Sequence, residues 1–469
     1  MDKIEADGPL DRGLKIDAGP DGLPMPRRLL AIAAISFGNA LCIMDGSVAN
    51  VALPTIAADL GVDNSASVLI ITVYQLMLVI ALLPFSALGE KIGQNQLYRI
   101  GLIVFSVATG LCFFANNLPI LLAVRALQAL GAAAVLSVSS AIVRAIYPAK
   151  RLGRGLALNA IVGSTAAALA PTIGGYVLEL APWPWVFAIG APLGILALLL
   201  DRTLPQSEPR GGSYDFLGAL LCAGTFGLAI TAAELANHGG TLKIALILAL
   251  GGLINGFFFV RRELGRARPI MPVDLLARPS LALAVAGAML IYMGMTVLVI
   301  LLPFQLQQGQ GFASAEIGGL MASMPLASFF AAPLAGLLSD RIRPELLGLL
   351  GALLSLLGAI ALGHLPLHAA HIDVLWRLVL FGIGLSFFTA PNTRMFISAA
   401  PIDRVVAASG LIATTRLTGQ TLGATMASAL LALGFQSGWP TQLAVAMLIV
   451  LAGTTAAIPL ARRFANPIG

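Results

Sequence analysis

One carboxylate stands out in this 469-residue chain because of where it sits. The run from Leu29 to Ala52 is apolar and carries a single acidic side chain, Asp45. An ionisable group in the middle of such a run costs at least about 2.5–3.5 kcal/mol to place in lipid, so it faces a partner or a cavity and does something there. Arg125 stands in a similar setting within RALQALG, and Gln128 shares its face one turn on. Burial disfavours the charged carboxylate and a nearby cation favours it. One acid beside a movable arginine therefore takes up and releases a proton as the geometry changes. A structural ion pair is the plainer alternative for Asp45, and snorkelling to the interface the plainer one for Arg125. Arg377 and Arg416 are weaker cases of the same kind.

Little else in the chain supports chemistry. Cys42, Cys112 and Cys222 each fall in apolar runs and read as small buried hydrophobes rather than a disulfide framework. His364, His368 and His371 lie in HLPLHAAH, with only Asp373 as a nearby acid, and read as a polar loop rather than a metal site. No nucleophile–base pair, metal cluster or phosphate loop is visible. An enzyme is not expected, nor is ATP as a driving force.

The elements that must hold Asp45 and Arg125 follow from composition. The chain is 58% hydrophobic and 11% charged, with a mean hydropathy of +0.91. A soluble surface needs more charge than this, so soluble enzymes and nucleic-acid binders are excluded and a polytopic membrane protein remains. A bilayer core of about 30 Å needs roughly 20 apolar residues of helix. Apolar runs between charged or Pro/Gly breaks give fourteen spans. They lie near 29–52, 66–88, 97–115, 119–146, 153–179, 184–201, 215–236, 242–260, 280–303, 313–338, 345–363, 372–397, 404–434 and 440–461. The first 26 residues hold six acids and no apolar run, so no secretory signal is expected and the first span stays in place. On this layout 24 of the 28 Lys and Arg fall on one side, including the run RRELGRAR, and only Lys243 on the other. The positive-inside rule then puts both termini in the cytoplasm, in a plasma or bacterial inner membrane.

These features resemble the major facilitator superfamily, in particular its fourteen-span drug:proton antiporter branch. SALGEKIGQN (Ser86 to Asn95) is similar to the signature after the second span. RALQALG is similar to the fourth-span arginine motif, and APTIGG (Ala170 to Gly175) to the fifth-span antiporter motif. MDGSVANVALP (Met44 to Pro54) and WPWVF (Trp183 to Phe187) resemble first- and sixth-span features of that branch, and GLLSDR (Gly336 to Arg341) echoes the loop signature after the tenth span. In the loop signature Ser86 replaces a glycine, Glu90 an aspartate, and Gln94 and Asn95 a basic pair; Ala129 and Ala170 stand where glycine is usual.

The resemblance implies an all-α fold of two six-helix halves, 29–201 and 269–463, with two inserted helices between them (202–268) and tails at 1–28 and 464–469. It implies a proton-driven exporter of amphiphilic drugs or metabolites working by alternating access, with no cofactor and as a monomer. A metabolite exporter or uniporter of the same fold is the alternative; a non-transporting receptor fits the mid-span charges less well. Asp45 and Arg125 would couple the proton. Glu90, Lys91, Asp340 and Arg341 would hold the cytoplasmic ends in the outward-open state, and with them Gly93, Gln128, Gly131, Pro171, Gly174 and Gly175 belong to the conformational motifs. Span position suggests Tyr74, Gln75, Met77, Asn159, Tyr292, Met293, Phe304, Phe388 and Asn392 for the substrate. With Asp45 committed to the proton, no mid-span carboxylate remains for a dication. Neutral, monocationic or anionic substrates are expected ahead of divalent cations, unless Glu179 or Glu234 reaches inward.

Overall fold

A computed structural model describes residues 22–148, 152–205, 215–237, 242–266, 271–366, 368–399, 405–435 and 439–465. Among these residues the regular elements are helices. The first group is α1 (Arg27–Leu60), α2 (Asn64–Ile92), α3 (Gln94–Leu111), α4 (Leu118–Ile146), α5 (Leu152–Leu180), and the short α6 (Pro184–Ala188) and α7 (Ala191–Leu200). Then come α8 (Phe216–Asn237) and α9 (Leu242–Leu264). The last group is α10 (Pro279–Phe304), α11 (Ser314–Arg341), α12 (Pro344–Gly363), α13 (His371–Ala399), α14 (Val405–Ala432) and α15 (Trp439–Ala465).

Thirteen helical segments among the described residues are long and apolar enough to cross a bilayer, α6 and α7 counting as one over Pro184–Thr203. The fourteenth is α14. Its middle carries Thr414, Thr415, Arg416, Thr418, Gln420 and Thr421, which dilute its hydropathy, yet it packs along α10 and α2. The expected end of the first span at 52 is corrected: α1 runs through Pro54 to a left-handed Gly61 cap. A proline inside a helix removes one backbone donor, and tertiary packing here outweighs that loss. The sixth span is broken in two around Gly190, with Pro184 and Pro192 opening the two pieces. His371 starts α13 rather than lying in a loop. The predicted tails lie outside the described residues up to residue 21 and from 466.

The two halves repeat one packing scheme. α1 lies on α5 and α7 while α2 and α3 lie on α4; correspondingly, α10 lies on α14 and α15 while α11 and α12 lie on α13. Small residues set the close crossings. A Cβ on Gly131 of α4 would meet the Phe105 backbone of α3 at 2.6 Å, and one on Gly358 of α12 would meet the Phe381 backbone of α13 at 2.9 Å. The halves meet along two seams, α5 with α11 and α2 with α14. The inserted α8 and α9 pair with each other, and α8 lies over the second seam against both α2 and α14. Asn237 ties the far end of α8 to the Thr425 carbonyl at 3.0 Å. At its near end Asp215 accepts from the Gly218 amide at 3.0 Å and pairs with Arg262 at 2.7 Å and Arg266 at 2.5 Å. Burial pushes this carboxyl up, but the amide and the two guanidinium groups outweigh it and hold it below the usual carboxylate range.

Candidate functional site

Five helices converge on Asp45. Arg125 Nη1 donates to its Oδ2 at 2.7 Å, and Gln128 Nε2 donates to its Oδ1 at 3.0 Å. The same Nη1 donates to Gln128 Oε1 at 2.5 Å, and Gln128 Nε2 also reaches Thr109 Oγ1 of α3 at 2.9 Å. The guanidinium lies between two rings, with Cζ 4.2 Å from the Tyr74 centroid and 4.9 Å from that of Phe187. Arg125 is fully buried and Asp45 only 4% exposed. Arg125 Nε has no hydrogen-bond partner among the described residues. A buried pair of this kind gains little over apolar packing, whereas removing one partner costs about 3–5 kcal/mol. Protonating Asp45 has a similar effect, because it leaves Arg125 without its counter-charge. Gln128 shares the Arg125 helix face as the spacing predicts. Thr109 does not stand out in its apolar span, and Phe187 is marked by the sixth-span motif without any sign of its contact with Arg125.

A second polar chain lies nearer the arginine-rich end. Ser139 donates to Asn39 Oδ1 at 2.6 Å, and Asn39 Nδ2 donates to Asn159 Oδ1 at 2.9 Å, linking α4, α1 and α5.

The suggested substrate residues divide. Tyr74 is 3% exposed and stacks on Arg125, so its ring serves the ion pair rather than an open cavity. Phe304 and Phe388 are packed in the apolar core, Asn392 donates to the Ala284 carbonyl at 2.9 Å, and Asn159 holds Asn39. Of these five, Tyr74, Phe304, Phe388 and Asn392 are buried in this conformation, while Asn159 is partly exposed. Gln75, Met77, Tyr292 and Met293 are partly exposed, and the Gln75 Oε1 lacks a hydrogen-bond partner among the described residues. Arg377 is corrected: it sits in the second turn of α13, where it donates to the Ala361 carbonyl at the end of α12 and to the Asp373 carbonyl. That is helix capping, not a mid-span charge.

Apart from Gln128 and Gly131 in the middle of α4, the conformational-motif residues fall at the two ends. Glu90, Lys91 and Arg341 are exposed at the arginine-rich end, and the Asp340 side chain lies outside the described residues. Gly93, with φ of 101°, makes the turn between α2 and α3. At this end a Cβ on Gly336 or Gly410 would meet nothing within 4 Å. The opposite end is closed. Thr172 Oγ1 donates to the Gly318 carbonyl at 3.2 Å, and the Ala315 amide to Glu179 at 3.2 Å. Asn64 reaches Gln308 at 3.0 Å, and Ser428 the Ser65 carbonyl at 3.3 Å. Gly174 lies against Val48, and Gly175 against the Ser314 carbonyl, with room for no side chain. The helix continues through Pro171, whose carbonyl faces Gly318.

Gly175→Leu should therefore hold this end apart. Overpacking costs about 1–3 kcal/mol, which shifts a two-state equilibrium roughly 5–150-fold. A Gln308→Cys reporter should react faster with a membrane-impermeant maleimide in the Gly175→Leu protein than in its absence. Equal rates would show that the seam tolerates the side chain.

The model of the Major Facilitator Superfamily matches residues 35–424 and 284–466. The chain is 39% identical over 414 residues to the uncharacterized transporter YebQ of Escherichia coli (strain K12), covering 88% of this chain and 91% of that one. It is 28% identical to the riboflavin transporter RibZ of Clostridioides difficile (strain 630), over 85% of this chain and 87% of that one. It is 29% identical to the methyl viologen resistance protein SmvA of Salmonella typhimurium (strain LT2), over 84% and 80%. With two repeated six-helix halves, two inserted helices and a matching family model over most of its length, this multi-pass membrane protein belongs to the Major Facilitator Superfamily of transporters.

Proposed function

We propose that the protein is a proton-coupled exporter of amphiphilic small molecules, of the fourteen-span drug:proton antiporter type, with both termini cytoplasmic in the inner membrane. The observation that carries this is the buried Asp45–Arg125–Gln128 cluster, a mid-span acid held by donors on another helix. The arginine-rich end is the cytoplasmic end on this orientation, so the closed seams face outward and substrate enters from the cytoplasm. The ion pair is formed in that state, which is the state in which Asp45 has given up its proton.

Opening to the outside then separates Arg125 from Asp45, and the freed carboxylate takes a proton from the external side. Closure restores the pair and expels the proton inward. Substrate moves outward in the same cycle by rocking of the two halves about their seams. Glu90, Lys91 and Arg341, exposed at the cytoplasmic end, would lock that end in the other state. Drug export is favoured by relatives such as SmvA; RibZ keeps a vitamin-like metabolite in view as the alternative cargo.

The test is uptake of a neutral fluorescent amphiphile into inside-out vesicles, with and without an imposed pH gradient. Accumulation should need the gradient and stop when a protonophore removes it. Accumulation that ignores the gradient would make the protein a uniporter.

A further inference from the structure

A second mid-span charge, Arg416 of α14, is left unused by the coupling cluster. Its direction follows from its neighbours at about 100° per residue. Gly419 and Gly423 lie against the Met289 and Met293 backbone of α10. Leu417 packs into the first-half cluster with Phe85. Thr425 meets α8, which lies outside the seam. Arg416 is about 60° from the Gly419 side, about 100° from Leu417 and opposite Thr425. It thus points between α10 and α2, away from α8, into the space the halves enclose. It is exposed, although about 17 Å of helix separate it from the start of α14. Tyr292 lies about 9 Å further along the parallel α10 in the register set by Gly419 and Met289, close enough to feel its charge.

No acid answers it there. α4, α10 and α14 contain no Asp or Glu, and those of α1, α2, α5, α11 and α13 lie at helix ends except Asp45, which Arg125 holds. Glu179 is exposed at the closed end, where it accepts from Ala315. Glu234 is carried by α8, outside the enclosed space. A guanidinium at this depth without a carboxylate is costly when the site is empty and is relieved by an anion.

We propose that Arg416 anchors the negative head of the substrate, beside the Tyr292 phenol, and that the cargo class is amphiphilic organic monoanions. The outward direction of their movement rests on the exporter reading; the anchor itself does not. A matched pair of probes tests it: 1-pyrenesulfonate, a permanent monoanion, and 1-pyrenemethanol, its neutral counterpart. Binding to the purified full-length protein and gradient-driven uptake into zwitterionic vesicles are both measured, with methyl viologen as the dication.

The wild type should prefer the sulfonate. Arg416→Gln should cut the sulfonate-over-alcohol ratio at least about tenfold, as expected for one lost charge-assisted contact, and Arg416→Lys should recover part of it. An unchanged ratio in a monodisperse Arg416→Gln protein, or a wild-type preference for methyl viologen, would overturn the anchor. Failure of the exporter reading looks different: the gradient drives neither pyrene probe, while binding still favours the sulfonate and depends on Arg416.

Discussion

Asp45→Asn should abolish gradient-driven accumulation while leaving substrate exchange across the membrane in place. The substitution keeps the shape of the side chain and an oxygen for Arg125, and removes only the group that titrates. Without titration, a pH gradient has nothing to act on, so accumulation should fall to that of empty vesicles. The cost is a buried Arg125 without a counter-charge, about 3–5 kcal/mol in the paired state. Expression and thermal stability must therefore be followed alongside. Counterflow of labelled against unlabelled substrate, which needs no proton, is the control: retained counterflow with lost accumulation places Asp45 in coupling. Normal accumulation by a well-folded Asp45→Asn protein would remove the proton role from this residue and leave the ion pair structural.

Arg125→Ala should be nearly as severe, and for a different reason. It leaves the Asp45 carboxylate in a buried site without its counter-charge, so the deprotonated state loses its stabilisation and the proton is no longer expelled. Transport should drop to near background. Arg125→Lys should retain part of the rate. Both hydrogen bonds of Arg125 come from one nitrogen, Nη1, and a lysine ammonium placed there makes them as well. What lysine lacks is the flat guanidinium that fills the gap between Tyr74 and Phe187. The stacking of a cation on a ring is worth about 0.5–2 kcal/mol, which corresponds to a roughly 2–30-fold loss in rate. Steady-state export by the three forms at equal membrane abundance measures this. Equal rates for Arg125→Ala and wild type would reduce Arg125 to packing.

The centre of the site was readable from sequence because lipid makes charge expensive. An acid or a base in the middle of an apolar run must find a partner, so Asp45 and Arg125 announced themselves, and helical spacing brought Gln128 with them. The order of spans and the repeated halves were likewise carried by apolar length and by motifs in sequence order. Other features were not written in that code. Tyr74 and Phe187 are ordinary aromatic residues in apolar helices, and only the crossing of α2, α4 and α6 makes them the two faces of an arginine slot. Arg377 looked like Arg416 by span position. Their difference lies in the α12 carbonyl that one of them reaches, which depends on how two antiparallel helices end together. The fourteenth helix, α14, is recognised by apolar runs but falls short on hydropathy, because its polar middle faces protein and enclosed space rather than lipid.

The placement of α8 over the α2–α14 seam makes the molecule's two flanks unequal toward the bilayer. On the α5–α11 flank, Leu169, Tyr176 and Phe330 are exposed and acyl chains can press directly on the joint. On the other flank the chains meet α9, whose Leu246, Leu250, Leu253 and Phe257 form an outer wall, while α8 keeps them from the joint. The bilayer therefore touches the α5–α11 joint directly and the α2–α14 joint only through the inserted pair. Changes in acyl-chain packing should accordingly be felt through α5 and α11, with the inserted pair acting as a splint along the opposite edge.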